Sequence, residues 1–217
     1  MIDYQAARIA MVDGQIRPSD VTLYPILEAM LSVPREIYVP TEKRSVAYVG
    51  EHIALDNGRV VLAPRVLAKM LEAVAIQPDD LVLCVGAGLG YSTAVMARMA
   101  EAVIAVEEDT ALASAAETNL SEQSADNAVV HTGALIEGAA AHGPYDVIVI
   151  DGGVEAVPNG LLDQLKLGGR IALLSMDGPS GQCRVGIRSD NGINWRTSFD
   201  ATAPLLPGFS KEQSFAF

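Results

Sequence analysis

Three glycines at alternate positions, Gly86, Gly88 and Gly90, form the part of the sequence with the clearest chemical meaning. They follow the apolar run Leu81–Val85, and apolar residues at helical spacing come after them. Glycine permits a tight turn and the close approach of a ligand to the backbone, and the first amides of the following helix attract polar groups. A buried strand, a glycine turn and a helix in this order indicate a nucleotide-binding βαβ unit.

Glu107 is the second candidate ligand residue, and it comes at the end of the apolar run 102–106. A carboxylate at the tip of a second strand can accept hydrogen bonds from both hydroxyls of a ribose. The glycine spacing differs from the dinucleotide fingerprint, which would need its third glycine near Tyr91 or Ser92. This argues against an NAD-dependent oxidoreductase. The glycine turn and the acid together resemble the S-adenosylmethionine site of class I methyltransferases, although a strand, turn and helix without a ligand is the alternative.

The segments around this turn are similar to the protein-L-isoaspartate O-methyltransferase family. The phrase Val33-Pro-Arg-Glu-Ile-Tyr-Val-Pro resembles that family's VPRE-x-FVP, and Ala47-Tyr follows at a similar distance. The segment 53–64 corresponds to the family's GQTISQP loop, and Val106-Glu-Glu-Asp corresponds to its IERD phrase. The likeness runs from about residue 10 to about residue 175. It implies methylation of the side-chain carboxylate of isoaspartyl residues in damaged proteins, with S-adenosylmethionine as the cofactor.

The predicted elements and the resemblance agree on one architecture. Strands that alternate with helices predict an α/β, Rossmann-like, doubly wound and mostly parallel sheet, the fold of class I methyltransferases. We expect a single domain over 1–217, with an N-terminal helical and substrate segment (1–75), a cofactor-binding core (76–176) and C-terminal strands (177–217) that form an antiparallel hairpin. The tail is aromatic, and we expect it to pack in the core or against another subunit, or to form a lid over the site. Its aromatic residues are Trp195, Phe199, Phe209, Phe215 and Phe217.

The glycine turn, the ends of the strands and the resemblance together indicate which residues surround the cofactor. These positions lie in the glycine turn, at the end of the second strand and at two later strand ends: Gly86, Ala87, Gly88, Gly90, Tyr91, Glu107, Ala134 and Asp151. Ala134 stands where the family has an aspartate that is expected to accept a hydrogen bond from the adenine amino group. Adenine would then be held here by backbone groups, by apolar packing or by a neighbouring residue.

The loop expected to bind the acceptor departs from the family pattern. It reads Gly58-Arg-Val-Val-Leu-Ala-Pro, so Val60 and Leu62 replace the family's two hydroxyl residues. The loss of a buried donor to an anion typically costs on the order of 1.5–3 kcal/mol. Arg59 lies in the same loop and could pair with a carboxylate, or it could be a surface arginine. The candidate catalytic positions of this loop are therefore Arg59, Val60 and Leu62. Val60 and Leu62 are included because they stand where the family has hydroxyl residues.

Asp151 is a further candidate catalytic residue because it ends the apolar fourth strand, in the crevice where α/β proteins bind ligands. It could act as a general base for a neutral nucleophile, or simply cap Gly152 or Gly153. Two alternatives to isoaspartyl methylation follow. One is a diverged methyltransferase with another small or protein acceptor that uses Asp151, and the other is a non-catalytic module that has lost the activity.

Composition limits the partners and the location. The formal net charge of −12 argues against binding to nucleic acid. Eight of the fifteen basic residues, however, precede position 70. These eight residues could face an anionic substrate, or they could be ordinary solvated residues. No apolar run is long enough to span a membrane and no leader is evident, so we expect a cytoplasmic protein without a membrane partner. The histidines and cysteines have no metal-ligand spacing. A homo-oligomer is possible.

Overall fold

The computed structural model describes residues 2–178 and 180–211. The helices of these ranges are α1 to α6 in chain order: Tyr4–Met11, Tyr24–Ser32, Pro64–Val74, Tyr91–Ala97, Thr110–Glu122 and Asn159–Leu162. The strands are β1 to β9: Ile53–Ala54, Val60–Val61, Leu81–Val85, Ala102–Glu107, Ala128–Thr132, Tyr145–Val154, Leu165–Ser175, Gln182–Ser189 and Gly192–Asp200. A π-turn at Val12–Ile16 extends α1.

Seven strands form one sheet in the order β5-β4-β3-β6-β7-β8-β9. The first five of these are parallel to their neighbours, and β7, β8 and β9 pair in an antiparallel manner. The strand order reverses between β3 and β6, and the crevice at such a reversal is where open α/β sheets bind ligands. The predicted mostly parallel sheet with a C-terminal antiparallel hairpin is confirmed.

The central strands are buried on both faces, which explains why they are apolar along their length. In β3, Val82 and Cys84 pack into the core on the face covered by α1 to α5. Leu83 and Val85 alternate with them and pack into the core on the other face, with α6 and with Phe209 of the tail. Side chains of successive strand residues point to opposite faces, so one apolar run serves both cores.

The N-terminal helices hold the predicted substrate loop against the sheet. Arg35, in the 3₁₀ turn Arg35–Ile37 after α2, is fully buried and donates hydrogen bonds to the carbonyl oxygens of Ala47 (2.7 Å) and Leu62 (2.8 Å). A buried guanidinium needs several acceptors to offset its loss of water. These two bonds therefore join the segment after α2 to the segment that leads into α3.

The tail packs along the ligand edge of β6. The Gly153 amide donates to the Pro204 carbonyl (2.8 Å), and the Leu206 amide donates to the Gly153 carbonyl (2.9 Å). Phe209 is fully buried, whereas Trp195 and Phe199 are half-buried against the two cores. Phe215 and Phe217 lie outside the described residues. Within the described ranges, none of the helices combines the length and apolar character needed to cross a bilayer.

Candidate cofactor site and substrate loop

The glycine turn connects β3 to α4 at the strand-order reversal. Gly86, Gly88 and Gly90 have φ angles of +92°, +55° and +96°, in the region that side chains other than hydrogen strongly disfavour. Gly90 caps the first turn of α4, and a Cβ at Gly90 would lie 3.4 Å from both the Ala116 Cβ and the Leu120 Cγ. The amides of Gly86 and Ala87 donate to the Val106 carbonyl at 2.9 and 3.1 Å. The turn is thus fixed to the end of β4.

Glu107 is fully buried at the end of β4, and its carboxylate faces this turn. Its Oε2 accepts a hydrogen bond from the Gly88 amide at 2.7 Å. Its Oε1 accepts from the amides of Glu108 and Asp109 at 3.0 and 3.2 Å. The predicted juxtaposition of the turn and the carboxylate is present, and the three backbone donors hold the carboxylate in one orientation.

Arg59 contacts the same carboxylate. Its Nη1 donates to Oε1 of Glu107 at 2.7 Å and its Nη2 donates to Oε2 at 2.9 Å, which is a bidentate pair. Both side chains are buried, with 4% and 0% of their surfaces exposed. The short hairpin of β1 and β2 and the 3₁₀ turn Asp56–Gly58 between them carry Arg59 over the glycine turn. The alternative of a surface arginine is therefore wrong.

The two positions that replace the family's hydroxyls lie beside Arg59 on β2 and immediately after it. Val60 is half-buried, and Leu62 is 1% exposed and belongs to the core. Neither side chain can donate a hydrogen bond. The polar side chain of this segment that lies against the glycine turn is that of Arg59, whose Nη2 would be 3.0 Å from a Cβ on Gly86.

Asp151 lies opposite the turn, near the tip of β6, and its carbonyl oxygen is 3.5 Å from the position of a Cβ on Gly86. Burial raises the pKa of its carboxyl group to about 6, and the Ser92 hydroxyl and the Arg59 and Arg35 guanidinium groups oppose this increase. Among the described residues, its Oδ1 has no hydrogen-bond partner. Since the Gly153 amide is bound by Pro204, the structure does not show Asp151 capping that glycine.

Tyr91, the first residue of α4, is buried directly after the glycine turn and contacts Arg35. The Arg35 guanidinium carbon is 4.6 Å from the centroid of the buried Tyr91 ring, a cation–π contact. Burial raises the pKa of the Tyr91 hydroxyl, and Arg35 opposes this shift. Burial also lowers the pKa of Arg35, and its contact with Tyr91 opposes the change. In the described part of the chain, hydrogen-bond partners are missing for the Tyr91 and Ser92 hydroxyls.

Ala134 lies at the same edge of the sheet, after β5. The neighbouring Gly133 amide donates to the Glu107 carbonyl at 3.1 Å, and the exposed Ala134 begins the 3₁₀ turn Leu135–Glu137. A small methyl group there leaves room for an apolar ring but offers no hydrogen bond to it. The structure thus brings all the predicted cofactor positions to one edge of the sheet.

Two features of this site were not expected from the sequence. The first is the Arg59–Glu107 pair, and the second is Leu206, whose Cδ1 is 3.2 Å from the position of a Cβ on Gly86. The arginine in the substrate loop was the one available signal for the first, and the Leu205-Leu206 pair between two prolines of the tail gave none for the second. Over residues 2–178 and 180–211, no group of three or more acidic, histidine or cysteine side chains is arranged to hold a metal ion.

Comparison with known proteins gives a consistent result. The family model described as protein-L-isoaspartate(D-aspartate) O-methyltransferase matches residues 9–185. A Roseiflexus castenholzii protein-L-isoaspartate O-methyltransferase is 34% identical over 172 residues, which cover 79% of this chain and 78% of that protein. The Koribacter versatilis protein of the same name is 34% identical over 193 residues, 89% of this chain and 86% of that one.

A solved structure supports the fold assignment. It is described as a Plasmodium falciparum protein-L-isoaspartate O-methyltransferase in complex with S-adenosyl-L-homocysteine. It superposes with a TM-score of 0.79 at 19% identity and covers 95% of this chain and 99% of that one. At this level of identity the match concerns the fold.

Proposed function

The chain belongs to the protein-L-isoaspartate(D-aspartate) O-methyltransferase family, and from this membership we propose that it methylates the side-chain carboxylate of isoaspartyl residues in damaged proteins. It is an S-adenosylmethionine-dependent methyltransferase with a class I fold. The observation that carries the proposal is the family match over residues 9–185, which includes both the substrate loop and the glycine turn. Neither another acceptor nor a non-catalytic role is favoured by these matches.

The residues of the site fit S-adenosylmethionine in shape and charge. The three glycines place no side chain of their own over the turn, so a ligand can approach its backbone in the space where Leu55 and Arg59 now lie, 3.2 Å from a Cβ on Gly88 and 3.0 Å from one on Gly86. Glu107 supplies the buried carboxylate that a ribose needs. The cofactor supplies a methyl group on an electrophilic sulfonium when it is bound. We infer that Gly86, Gly88 and Glu107 hold it.

The protein's contribution to the reaction is mainly one of position. A carboxylate is already ionised and nucleophilic at neutral pH, so the enzyme needs to align it and exclude water. Packing of the β1–β2 hairpin and of Leu206 against the glycine turn provides the exclusion of water. The grip on the acceptor cannot come from hydroxyls at Val60 and Leu62, which leaves a cationic side chain as the chemically suitable group.

The test is the transfer of labelled methyl from S-adenosylmethionine to an isoaspartyl peptide, with the matching aspartyl peptide as the control. We expect transfer to the isoaspartyl peptide alone. Glu107→Gln should reduce it at least tenfold by weakening the hold on the ribose. Glu101→Gln changes an exposed residue just before the start of β4 and should leave transfer unchanged. Equal transfer to both peptides, or none from folded protein, would contradict the proposed acceptor.

A further inference from the structure

The Glu107 carboxylate has no capacity left for a ligand in this structure. Arg59 donates two hydrogen bonds to it, and the amides of Gly88, Glu108 and Asp109 donate three more. A carboxylate has about four lone-pair positions, so five donors saturate it. The hydroxyls of a ribose could bind only after some of these donors leave, and the Arg59 side chain is the one donor that can leave without unfolding the turn.

The Arg59 guanidinium also fills space that a ligand on the glycine turn would need. Its Nη2 is 3.0 Å from the position of a Cβ on Gly86, and the Leu206 Cδ1 is 3.2 Å from the same point. Next to the guanidinium, a cavity of about 300 Å³ opens between the Asp56–Gly58 turn and Pro207. The cleft is thus partly filled by the chain itself, with adjoining open space into which a side chain can move.

The match between the guanidinium and a ribose is chemical as well as spatial. One edge of a guanidinium and a vicinal diol each present two donors side by side, and both suit the two oxygens of a carboxylate. We propose that Arg59 occupies the ribose position in the free protein, and that cofactor binding releases it to grip the carboxylate of the acceptor. The second half of this proposal rests on the proposed function.

The released guanidinium requires a new anion. A buried charge that loses its partner is costly, so the displaced Arg59 is stable only where another carboxylate receives it or where it reaches water. An acceptor carboxylate offers the same bidentate geometry that Glu107 offered. Arg35, the other buried arginine of the site, is fixed by the carbonyls of Ala47 and Leu62 and cannot take this role. Cofactor therefore binds before acceptor.

Calorimetric titration with S-adenosylhomocysteine, which involves no turnover, tests the first half. Ligand affinity is reduced by the fraction of protein that is competent to bind. If the open state is populated at roughly 1–10%, Arg59→Gln should bind the ligand about 10- to 100-fold more tightly than wild type. Arg196→Gln, on edge strand β9, removes a charge across the sheet and should bind like wild type. Unchanged or weaker binding by Arg59→Gln would overturn the proposal.

Arg59→Lys covers the case in which the glutamine variant does not fold. Lysine keeps a charge near Glu107 but cannot form the two-pronged pair, so its affinity for S-adenosylhomocysteine should exceed that of wild type by a smaller factor. An affinity equal to or below that of wild type would count against Arg59 as the competitor for the ribose position.

Binding of an isoaspartyl peptide tests the second half. Wild type saturated with S-adenosylhomocysteine should bind it at least tenfold more tightly than wild type alone, and saturated Arg59→Gln should lose that gain. Peptide affinity that is independent of the ligand or of Arg59 would overturn the assignment. If wild type still methylates the peptide in that case, the proposed function survives without this role for Arg59. If wild type neither binds nor methylates the peptide, the acceptor half fails together with the proposed function.

Discussion

Asp151 is a buried carboxylate whose surroundings oppose its ionisation more than they favour it. Loss of hydration raises its pKa from 3.8 to about 6, in spite of the Ser92 hydroxyl and the two buried guanidinium groups of Arg59 and Arg35. At neutral pH most of this group is charged in the folded protein, and its Oδ1 lacks a partner among the described residues. The site therefore holds a charge that weakens the fold.

We predict that Asp151→Asn stabilises the protein at alkaline pH. The folded-state pKa exceeds the unfolded one, so the contribution of Asp151 to stability is greatest below pH 3.8 and falls as the pH rises toward 6. An amide does not titrate, so the variant should gain about 1–3 kcal/mol in the free energy of unfolding at pH 8 and almost nothing near pH 4. Urea denaturation at both pH values measures this difference.

The matched control for this experiment is Asp190→Asn. Asp190 is exposed in the turn between β8 and β9, and its replacement should shift the free energy of unfolding by no more than about 0.5 kcal/mol at either pH. If Asp151→Asn were instead less stable at pH 8, the two buried arginines would outweigh the loss of hydration, and the carboxylate would be a structural partner for them.

At the scale of elements, the close fit between the tail and β6 depends on a glycine. A Cβ on Gly152 would lie 2.6 Å from the Leu206 Cγ, which is closer than side-chain atoms approach each other. The tail is held here by backbone hydrogen bonds between Gly153 and the segment 204–206. It is also held by His52, whose Nε2 is 2.8 Å from the Thr202 carbonyl, while its Nδ1 accepts from the Ala63 amide at 2.9 Å. One histidine thus joins the tail to the substrate loop.

Gly152→Ala should push Leu206 and the tail away from β6 and lower the free energy of unfolding by about 1–3 kcal/mol. Gly160→Ala is the matched control because a Cβ there, in α6, meets nothing within 4 Å. It should be neutral or stabilising by about 0.4–1 kcal/mol, since alanine favours a helix. Thermal unfolding of the two variants compares them, and equal stabilities would mean that the tail is not packed against Gly152 in solution.

The elements whose own residue pattern indicates their structure were predictable from the sequence. β3 and β6 are apolar because both of their faces are buried, and the three glycines lie at a turn in which each of them has a positive φ angle. Glu107 was predictable because it ends an apolar strand. Its pairing with Arg59 was not, because the two residues are 48 positions apart and meet only when the β1–β2 hairpin folds over the turn. No local pattern encodes such a contact.

At the scale of the whole molecule, the surface stays strongly acidic, because the buried charged residues are of both signs: Asp80, Glu107 and Asp151 are buried as well as two arginines. Arg35 and Arg59, two of the eight basic residues in the N-terminal third, are buried. Arg8 is mostly buried and pairs with Glu36, and Arg17 pairs with Asp13. Lys43 and Arg65 also donate hydrogen bonds, to the Ala54 carbonyl and the Ser19 hydroxyl, so most of the residues that could have formed a basic face bind groups of the chain itself. That nucleic acid is not a partner stays a prediction, and the net charge of −12 supports it.

The net charge of −12 leads to a prediction about which damaged proteins react fastest. A negative field accelerates the encounter with cationic partners and slows the encounter with anionic ones, and salt screens both effects over about 10 Å at 0.1 M. An isoaspartyl peptide flanked by lysines should therefore show a kcat/KM several-fold higher at low salt than one flanked by glutamates, with a neutral-flanked peptide in between. The difference should shrink to within about twofold at 0.5 M salt, where screening is nearly complete. A preference for glutamate flanks would instead require a local basic face at the mouth of the site strong enough to outweigh the charge of the whole molecule.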